Sequence, residues 1–163
     1  MNKFYFLSSL LFLILFTGCG PKTSALNYFQ EDPLSANAIQ YTKKRDLNYK
    51  NETKAQLFAT YLNKIDKKYQ TEKLNSFIIG IHLVNKDKHD LTENGYKVFL
   101  NNEIATSIVK LDNKSKLVES IPLKNSWANY YLVHFNKKEE EVKSLNLKLS
   151  HSTFGQVLID FQK

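Results

Sequence analysis

One residue near the start of the chain has the chemistry for a covalent modification. Cys19 is the only cysteine, so its sulfur is the only thiol nucleophile. Thr17 and Gly18 precede it, and a short apolar run over residues 4–16 follows Lys3. A basic start, a short apolar middle and small residues before a cleavage site make up a secretory signal. The run is shorter than the about 20 residues of a membrane-spanning helix, so we expect an exported protein.

The sequence around Cys19 resembles the bacterial lipobox, with Phe16 where Leu is usual. The resemblance implies that a diacylglycerol is joined to the Cys19 sulfur, that the chain is cut before this residue, and that the new amine is acylated. We therefore predict a signal peptide over 1–18, a lipidated tether over 19–37 and one domain over 38–163. The alternative is an ordinary signal peptide with an incidental thiol.

The residue after the modified cysteine bears on the destination of the protein. In the usual Gram-negative sorting scheme, an Asp at this position retains a lipoprotein at the inner membrane. This chain has Gly20 there. The resemblance thus implies a protein that is anchored to the outer membrane through the acyl chains on Cys19.

Two histidines could form a binding site. The four histidines lack zinc-ligand spacing and have no cysteine partners. His82 and His134, however, fall on the two strands that we predict to be central, each opposite its strand's main apolar face. If these strands are neighbours, the pair could meet beside Tyr130 and hold a metal or an anion. The alternative is two separate histidines at the solvent edge.

Signatures of catalysis and of bound cofactors are missing from the sequence. It contains no Gly-rich phosphate loop and no Gly-x-Ser-x-Gly elbow, and Asp160 is a lone acid in its predicted strand. We therefore predict neither an enzyme nor a cofactor-dependent protein.

The charge of the chain permits an anionic partner but does not require one. The formal net charge is +7, from 23 Lys and Arg against 16 Asp and Glu. Most basic residues occur in short bursts in predicted turns. The aromatic residues follow the period of a strand and not the pattern of a base-stacking surface, so nucleic acid is not an expected partner.

Alternation of apolar and polar residues predicts an all-β fold after the tether. Strands are expected within the ranges 38–49, 76–85, 96–100, 104–109, 127–135, 145–149 and 157–161. The segments 96–100 and 104–109 should form a hairpin, and residues 115–120 one helical turn. Residues 76–85 and 127–135, the latter with Trp127 on its apolar face, should be central strands.

Periodicity leaves one segment open between two structures. In residues 55–69, Phe58, Leu62, Ile65 and Tyr69 have helical spacing. Alternatively, Leu57, Ala59 and Tyr61 on one face and Phe58, Thr60 and Leu62 on the other fit a strand that is buried on both faces. Seven or eight strands with turns every eight to twelve residues predict a β-sandwich in either case.

The outer face of the central strands carries apolar residues that need a cover. Ile78, Val84 and Leu132 share this face with the two histidines. The cover could be the tether around Tyr28-Phe29, a loop, or another protein, and we favour the tether or a partner.

Three stretches together resemble a group of small, uncharacterised Gram-negative lipoproteins with a variant immunoglobulin-like sandwich. They are Ala59-Thr60-Tyr61-Leu62-Asn63, Phe77-Ile78-Ile79-Gly80-Ile81 and the run from Asn125 to Val133. The resemblance implies that residues 55–65 are a strand. The run around Tyr130 also echoes the immunoglobulin strand with a tyrosine corner, Leu132 replacing the second cysteine. A tyrosine on the face of a strand is the alternative.

These features predict a non-catalytic interaction or structural module of the cell envelope, with an envelope protein as partner. One alternative is a component that anchors a secretion machine, similar to the β-sandwich lipoprotein of type VI systems. Another is a periplasmic ligand or metal binder that uses His82 and His134.

Overall fold

Strands make up most of the computed structural model, which describes residues 33–136 and 144–162. Within these residues the strands are β1 (Thr42–Tyr49), β2 (Glu52–Tyr61), β3 (Leu74–Leu83), β4 (Tyr96–Leu100), β5 (Glu103–Ile104), β6 (Ser107–Leu111), β7 (Asn129–Asn136), β8 (Ser144–His151) and β9 (Gly155–Gln162). The helices are α1 (Pro33–Ala38), α2 (Lys67–Gln70) and α3 (Lys116–Glu119), with a 3-10 turn at Leu62–Lys64. None of the described helices is long and apolar enough to cross a membrane.

The strands form two antiparallel sheets with one core between them, which confirms the predicted all-β sandwich. The five-stranded sheet has the order β1-β2-β3-β7-β6, and the four-stranded sheet has the order β5-β4-β8-β9. Successive side chains of a strand point to opposite faces. Leu145, Leu147 and Leu149 of β8 therefore all enter the core, as their alternation predicted.

Aromatic rings fill one part of this core. Phe77 of β3 is fully buried, and its ring centroid lies 4.8 Å from that of Tyr61 and 5.4 Å from that of Phe161. The ring of Phe135 meets it edge-on at 5.9 Å. Full burial of one such side chain contributes about 1.5–3 kcal/mol, so this cluster ties three strands of one sheet to the last strand of the other.

A second apolar cluster covers the part of the outer face of the five-stranded sheet around Ile78 and Tyr130. Ile78 and Tyr130 on this face are 1% and 2% exposed. The residues that pack on them come from the short helical segments and the connections beside them: Ala38, Leu62, Ile65, Tyr69, Val118 and Ile121. Loops of the domain thus provide the cover, which was the alternative that we did not favour. Tyr28-Phe29 and Cys19 lie outside the described residues.

The segment that periodicity left open contains both kinds of structure. Residues up to Tyr61 belong to β2, and the 3-10 turn and α2 follow. Asp66 caps α2, because its side chain accepts a hydrogen bond from the Lys68 N–H at 2.9 Å. The strand implied for residues 55–65 therefore ends four residues early.

The predicted hairpin is shorter than its pattern suggested. β5 has only two residues and pairs with β4, whereas β6 crosses to the five-stranded sheet and pairs with β7. The Ala105 N–H donates to Val98 O of β4, and the Thr106 N–H donates to His134 O of β7. Alternation identifies a strand but not the sheet to which it belongs, so residues 104–109 were assigned to one strand.

Trp127 was predicted to be part of a central strand, and this was wrong. β7 begins at Asn129, and the Trp127 side chain is 74% exposed. The turn that precedes β7 explains the difference, because the Asn125 side chain accepts a hydrogen bond from the Trp127 N–H at 2.9 Å. Such a side chain-to-backbone bond replaces a ladder hydrogen bond with a local turn.

Candidate functional site

His82 and His134 do not share a site. Their strands β3 and β7 are neighbours, as predicted, but the antiparallel register places His134 opposite Ser76, six residues from His82. At about 3.4 Å per residue, six residues correspond to roughly 20 Å. A metal or anion held by both side chains beside Tyr130 is therefore incompatible with the register.

His134 has a partner of its own. Its Nδ1 lies 2.8 Å from the hydroxyl oxygen of Ser76. A serine–histidine contact of this length is also found in hydrolases, where the serine must meet the substrate. Ser76 is 0% exposed, and the ring of Tyr69 lies 6.5 Å from that of His134. The geometry thus favours a hydrogen bond that stabilises the covered face of the sheet.

Tyr130 uses its hydroxyl group to hold the loop before its strand. The oxygen accepts a hydrogen bond from the Asn125 N–H at 2.8 Å and lies 3.3 Å from Asn125 O, to which it donates. A bond back to the backbone a few residues upstream is the defining contact of a tyrosine corner. Burial raises the pKa of Tyr130, although the Asn125 N–H acts in the opposite direction.

Asn125 transmits this restraint to Trp127. Besides the bond from the Trp127 N–H, the backbone oxygen of Asn125 accepts from the Ala128 N–H at 3.0 Å. Its side-chain amide also donates to Gln56 of β2 at 3.4 Å. The large indole side chain is therefore exposed on a turn that hydrogen bonds fix at several points.

The loop that follows β3 brings a second histidine to His82. The two imidazole centroids, of His82 and His89, lie 4.5 Å apart. The Leu83 N–H donates to His89 Nδ1 at 3.1 Å, so this nitrogen carries a lone pair and the proton of the neutral ring is on Nε2. His82 Nδ1 is buried and has no hydrogen-bond partner among the described residues.

Asp90 holds this loop in place. Its carboxylate accepts hydrogen bonds from the backbone N–H groups of Glu93 and Thr92, both at 3.0 Å, and from the Tyr131 hydroxyl at 3.2 Å. The Glu93 N–H is the main reason why the pKa of Asp90 is below its ordinary value. The Tyr131 hydroxyl accepts from the Leu91 N–H in turn, which ties the loop to β7.

These two loops and the connection that carries Asn113 border an open cleft of about 580 Å³ at one end of the five-stranded sheet. The cleft is a surface depression and not an enclosed cavity, although its volume is within the about 300–1,000 Å³ of small-molecule sites. The polar and aromatic side chains of its lining are His82, Asn85, Lys86, Asp87, His89, Asn113, Ser126, Trp127 and Asn129. We call this region the Trp127 cleft.

The cleft contributes two imidazoles, of His82 and His89, as possible metal ligands. No group of three or more His, Cys, Asp and Glu side chains suited to a metal ion occurs in residues 33–136 and 144–162. The two imidazoles of the cleft would supply only a pair of ligands, whereas zinc sites in proteins use three or four.

The sequence makes His82 a candidate site residue, but only together with His134, and it does not indicate the residues that lie around His82 in the structure. His89 lies in a polar loop, and the pattern around Trp127 is that of a strand. The run Asn125-Ser126-Trp127 did contain a usable signal, because Asn favours turns through hydrogen bonds to the backbone two residues on.

Comparison of this chain with family models, with curated proteins and with solved structures gave no match.

Proposed function

We propose that the protein is a lipid-anchored, non-catalytic binding module of the bacterial cell envelope. Acyl chains on Cys19 hold it at the outer membrane, and the sandwich presents the Trp127 cleft to a ligand or partner. Each buried acyl CH₂ contributes about 0.8 kcal/mol, so two or three long chains make a stable anchor. The lipobox-like sequence at Cys19 supports the anchor.

We further propose that the sandwich is immunoglobulin-like. Immunoglobulin sheets have the strand orders A-B-E-D and C-F-G, with an added C′ next to C in variable-type domains. The orders β2-β3-β7-β6 and β5-β4-β8-β9 correspond to A-B-E-D and C′-C-F-G. β1 is then an additional edge strand. Tyr130 lies on the equivalent of strand E in this scheme, whereas the immunoglobulin tyrosine corner is on strand F.

The exposure of Trp127 is the observation that carries the binding role. Removing a side chain of this size from water lowers the free energy of the system. Tryptophan is also enriched among the residues that contribute most to binding energy at interfaces. Here 74% of it is exposed, while the bonds to Asn125 order the turn on which it stands. A pre-ordered aromatic group loses little entropy on binding.

The anchor is tested by mass spectrometry of the mature N-terminus and by membrane fractionation. We expect an acylated Cys19 in the outer-membrane fraction, and no acylated protein in that fraction for Cys19→Ala. An unmodified N-terminal residue in the wild-type protein would contradict the anchor.

The binding role is tested by a photo-reactive amino acid at position 126 in intact cells. Ser126 is exposed and lines the cleft beside Trp127, so this position leaves the indole in place. Position 158 is the matched control, because Leu158 is also exposed, at 45%, but lies in the other sheet. We expect a discrete cross-linked product from position 126 and none from position 158. Equal products at both positions, or none at 126, would contradict a binding role for the cleft.

A further inference from the structure

We infer that the Trp127 cleft binds an uncharged saccharide, in particular one with an N-acetyl group. This inference rests on the proposed binding function and specifies the class of its ligand. It follows from the charge of the cleft, from the hydrogen-bonding groups that line it and from the indole at its rim.

The charge of the cleft differs from that of the chain. The chain as a whole has a formal charge of +7, but Lys86 and Asp87 are the charged residues among those that line the cleft, and their charges cancel. An anionic ligand would therefore gain no net attraction from this lining. Uncharged ligands are favoured for the same reason.

The polar groups of the cleft suit hydroxyl and amide groups. Asn85, Asn113 and Asn129 each offer a carbonyl acceptor and an NH₂ donor side by side. A sugar hydroxyl also donates and accepts, so neighbouring amides can satisfy it in both directions. Surface amides of this kind recognise neutral polar ligands without the desolvation cost of a charged side chain.

The two imidazoles add donors. His89 carries its proton on Nε2, because its Nδ1 accepts from the Leu83 N–H. His82 Nδ1 is buried without a partner in the described part of the chain, so Nε2 is the ring nitrogen left to meet a ligand. It donates in the tautomer that carries the proton on Nε2. Two such N–H donors complement the carbonyl oxygen of an acetamido group.

The indole of Trp127 supplies the apolar part of the site. One face of a pyranose ring consists of C–H groups, and such a face packs on an aromatic ring through dispersion and weak C–H contacts. Trp127 is both exposed and part of the lining of the cleft. A ligand with polar edges and an apolar face matches this combination of amides, imidazoles and indole.

Trp127 can also serve as the fluorescent probe of binding, because it is the only tryptophan of the chain. We would titrate the acylated mature protein in detergent with N,N′-diacetylchitobiose and follow the tryptophan emission. We expect a saturable shift of the emission to shorter wavelength as the indole leaves water. Sodium phosphate and zinc chloride are the anionic and metal probes, and neither should produce the shift.

Variants link the shift to the cleft. Asn113→Ala should weaken binding by about tenfold, the loss expected for one or two hydrogen bonds. Asn136→Ala, at an exposed asparagine at the other end of β7, should leave affinity unchanged. His82→Ala should also weaken binding, and a urea titration verifies that each variant is folded.

Three results would overturn the inference. They are no saturable response to the disaccharide, an equal effect of Asn113→Ala and Asn136→Ala, and a shift with phosphate or zinc alone, which would indicate an anion or a metal as the ligand. Cross-linking at position 126 separates these failures from that of the proposed function. If the cross-link persists, only the ligand class is wrong; if it is lost too, the binding role itself is wrong.

Discussion

Gly80 and Tyr130 face each other across β3 and β7, and a β-carbon on Gly80 would lie 2.5 Å from Cε1 of Tyr130. Real β-carbons essentially never approach another atom within 3.0 Å. The tyrosine ring cannot easily move away, because its hydroxyl group is bonded to the Asn125 backbone. The missing side chain at Gly80 thus makes room for the residue that holds the turn of Trp127.

Gly80→Ala should therefore destabilise the fold. In a strand without such a contact, replacing Gly by Ala lowers the entropy of the unfolded chain and usually stabilises the protein. Here overpacking against Tyr130 should lower the free energy of unfolding by about 1–3 kcal/mol. Urea unfolding at neutral pH measures the change.

A double-mutant cycle provides the control for this prediction. In a Tyr130→Ala background the added methyl group meets no ring, so Gly80→Ala should have no cost or a small benefit. If Gly80→Ala lowered the free energy of unfolding equally in both backgrounds, the contact with Tyr130 would not be the cause of the destabilisation.

Tyr130→Phe should loosen the turn of Trp127. The substitution keeps the ring but removes the hydroxyl, which accepts from the Asn125 N–H and donates to the Asn125 carbonyl oxygen. We therefore expect the free energy of unfolding to fall by about 1–2 kcal/mol. We also expect a lower fluorescence anisotropy of Trp127. Tyr131→Phe is the matched control, because that hydroxyl binds Leu91 and Asp90 instead.

The control should lose stability without any change in the anisotropy of Trp127. If both variants lowered the anisotropy equally, the signal would report general loosening of the domain. The restraint that Tyr130 exerts through Asn125 would then be refuted.

Most strands of the sandwich could be predicted from the sequence, because apolar and polar residues alternate along a strand that is buried on one face. Leu145, Leu147 and Leu149 alternate with polar residues and are all buried, and β3 is apolar on both faces because it is covered on both. Periodicity could not assign β6 to its sheet. Partner choice depends on hydrogen bonds from Ala105 and Thr106 to different sheets, and no local pattern encodes them.

The candidate site was much less predictable than the fold. Antiparallel register decides which residues of two neighbouring strands meet, and it separated His82 from His134. His89 approaches His82 through a loop whose shape depends on contacts of Asp90 with Tyr131, 41 residues away. Long-range contacts of this kind leave no trace in the spacing of residues along the chain.

Asn63→Asp should destabilise the fold strongly, although the two side chains have nearly the same size. The Asn63 amide donates to Tyr69 O and Leu74 O, both at 2.7 Å, and its carbonyl oxygen accepts from the Ser76 N–H at 2.7 Å. Asp has the same shape, but an ionised carboxylate has no N–H to donate and would face two carbonyl oxygens. We expect the free energy of unfolding, measured with urea at pH 7, to fall by about 3 kcal/mol or more.

Asn113→Asp is the control for this substitution, since Asn113 is exposed in a loop, and its effect should stay within about 0.5 kcal/mol. Asn63→Ala should have an intermediate effect, because it removes the bonds without adding a charge. A loss for Asn63→Asp no larger than that for Asn113→Asp would disprove the role of the buried amide.

Alkaline pH should unfold the domain in a way that depends on Tyr61. Burial raises the pKa of this residue from 10.0 to about 12, and its hydroxyl donates to the Asn75 side chain at 3.0 Å. A raised pKa means that the folded state keeps a proton that the unfolded state releases. The contribution of Tyr61 is thus complete below about pH 10 and is lost as the pH rises towards 12. In urea unfolding between pH 9 and 12, the free energy of unfolding should fall as the pH rises. It should fall less steeply with pH for Tyr61→Phe, which retains the ring contact with Phe77. Equal slopes for the two proteins would show that Tyr61 ionises as readily in the folded state as in the unfolded chain.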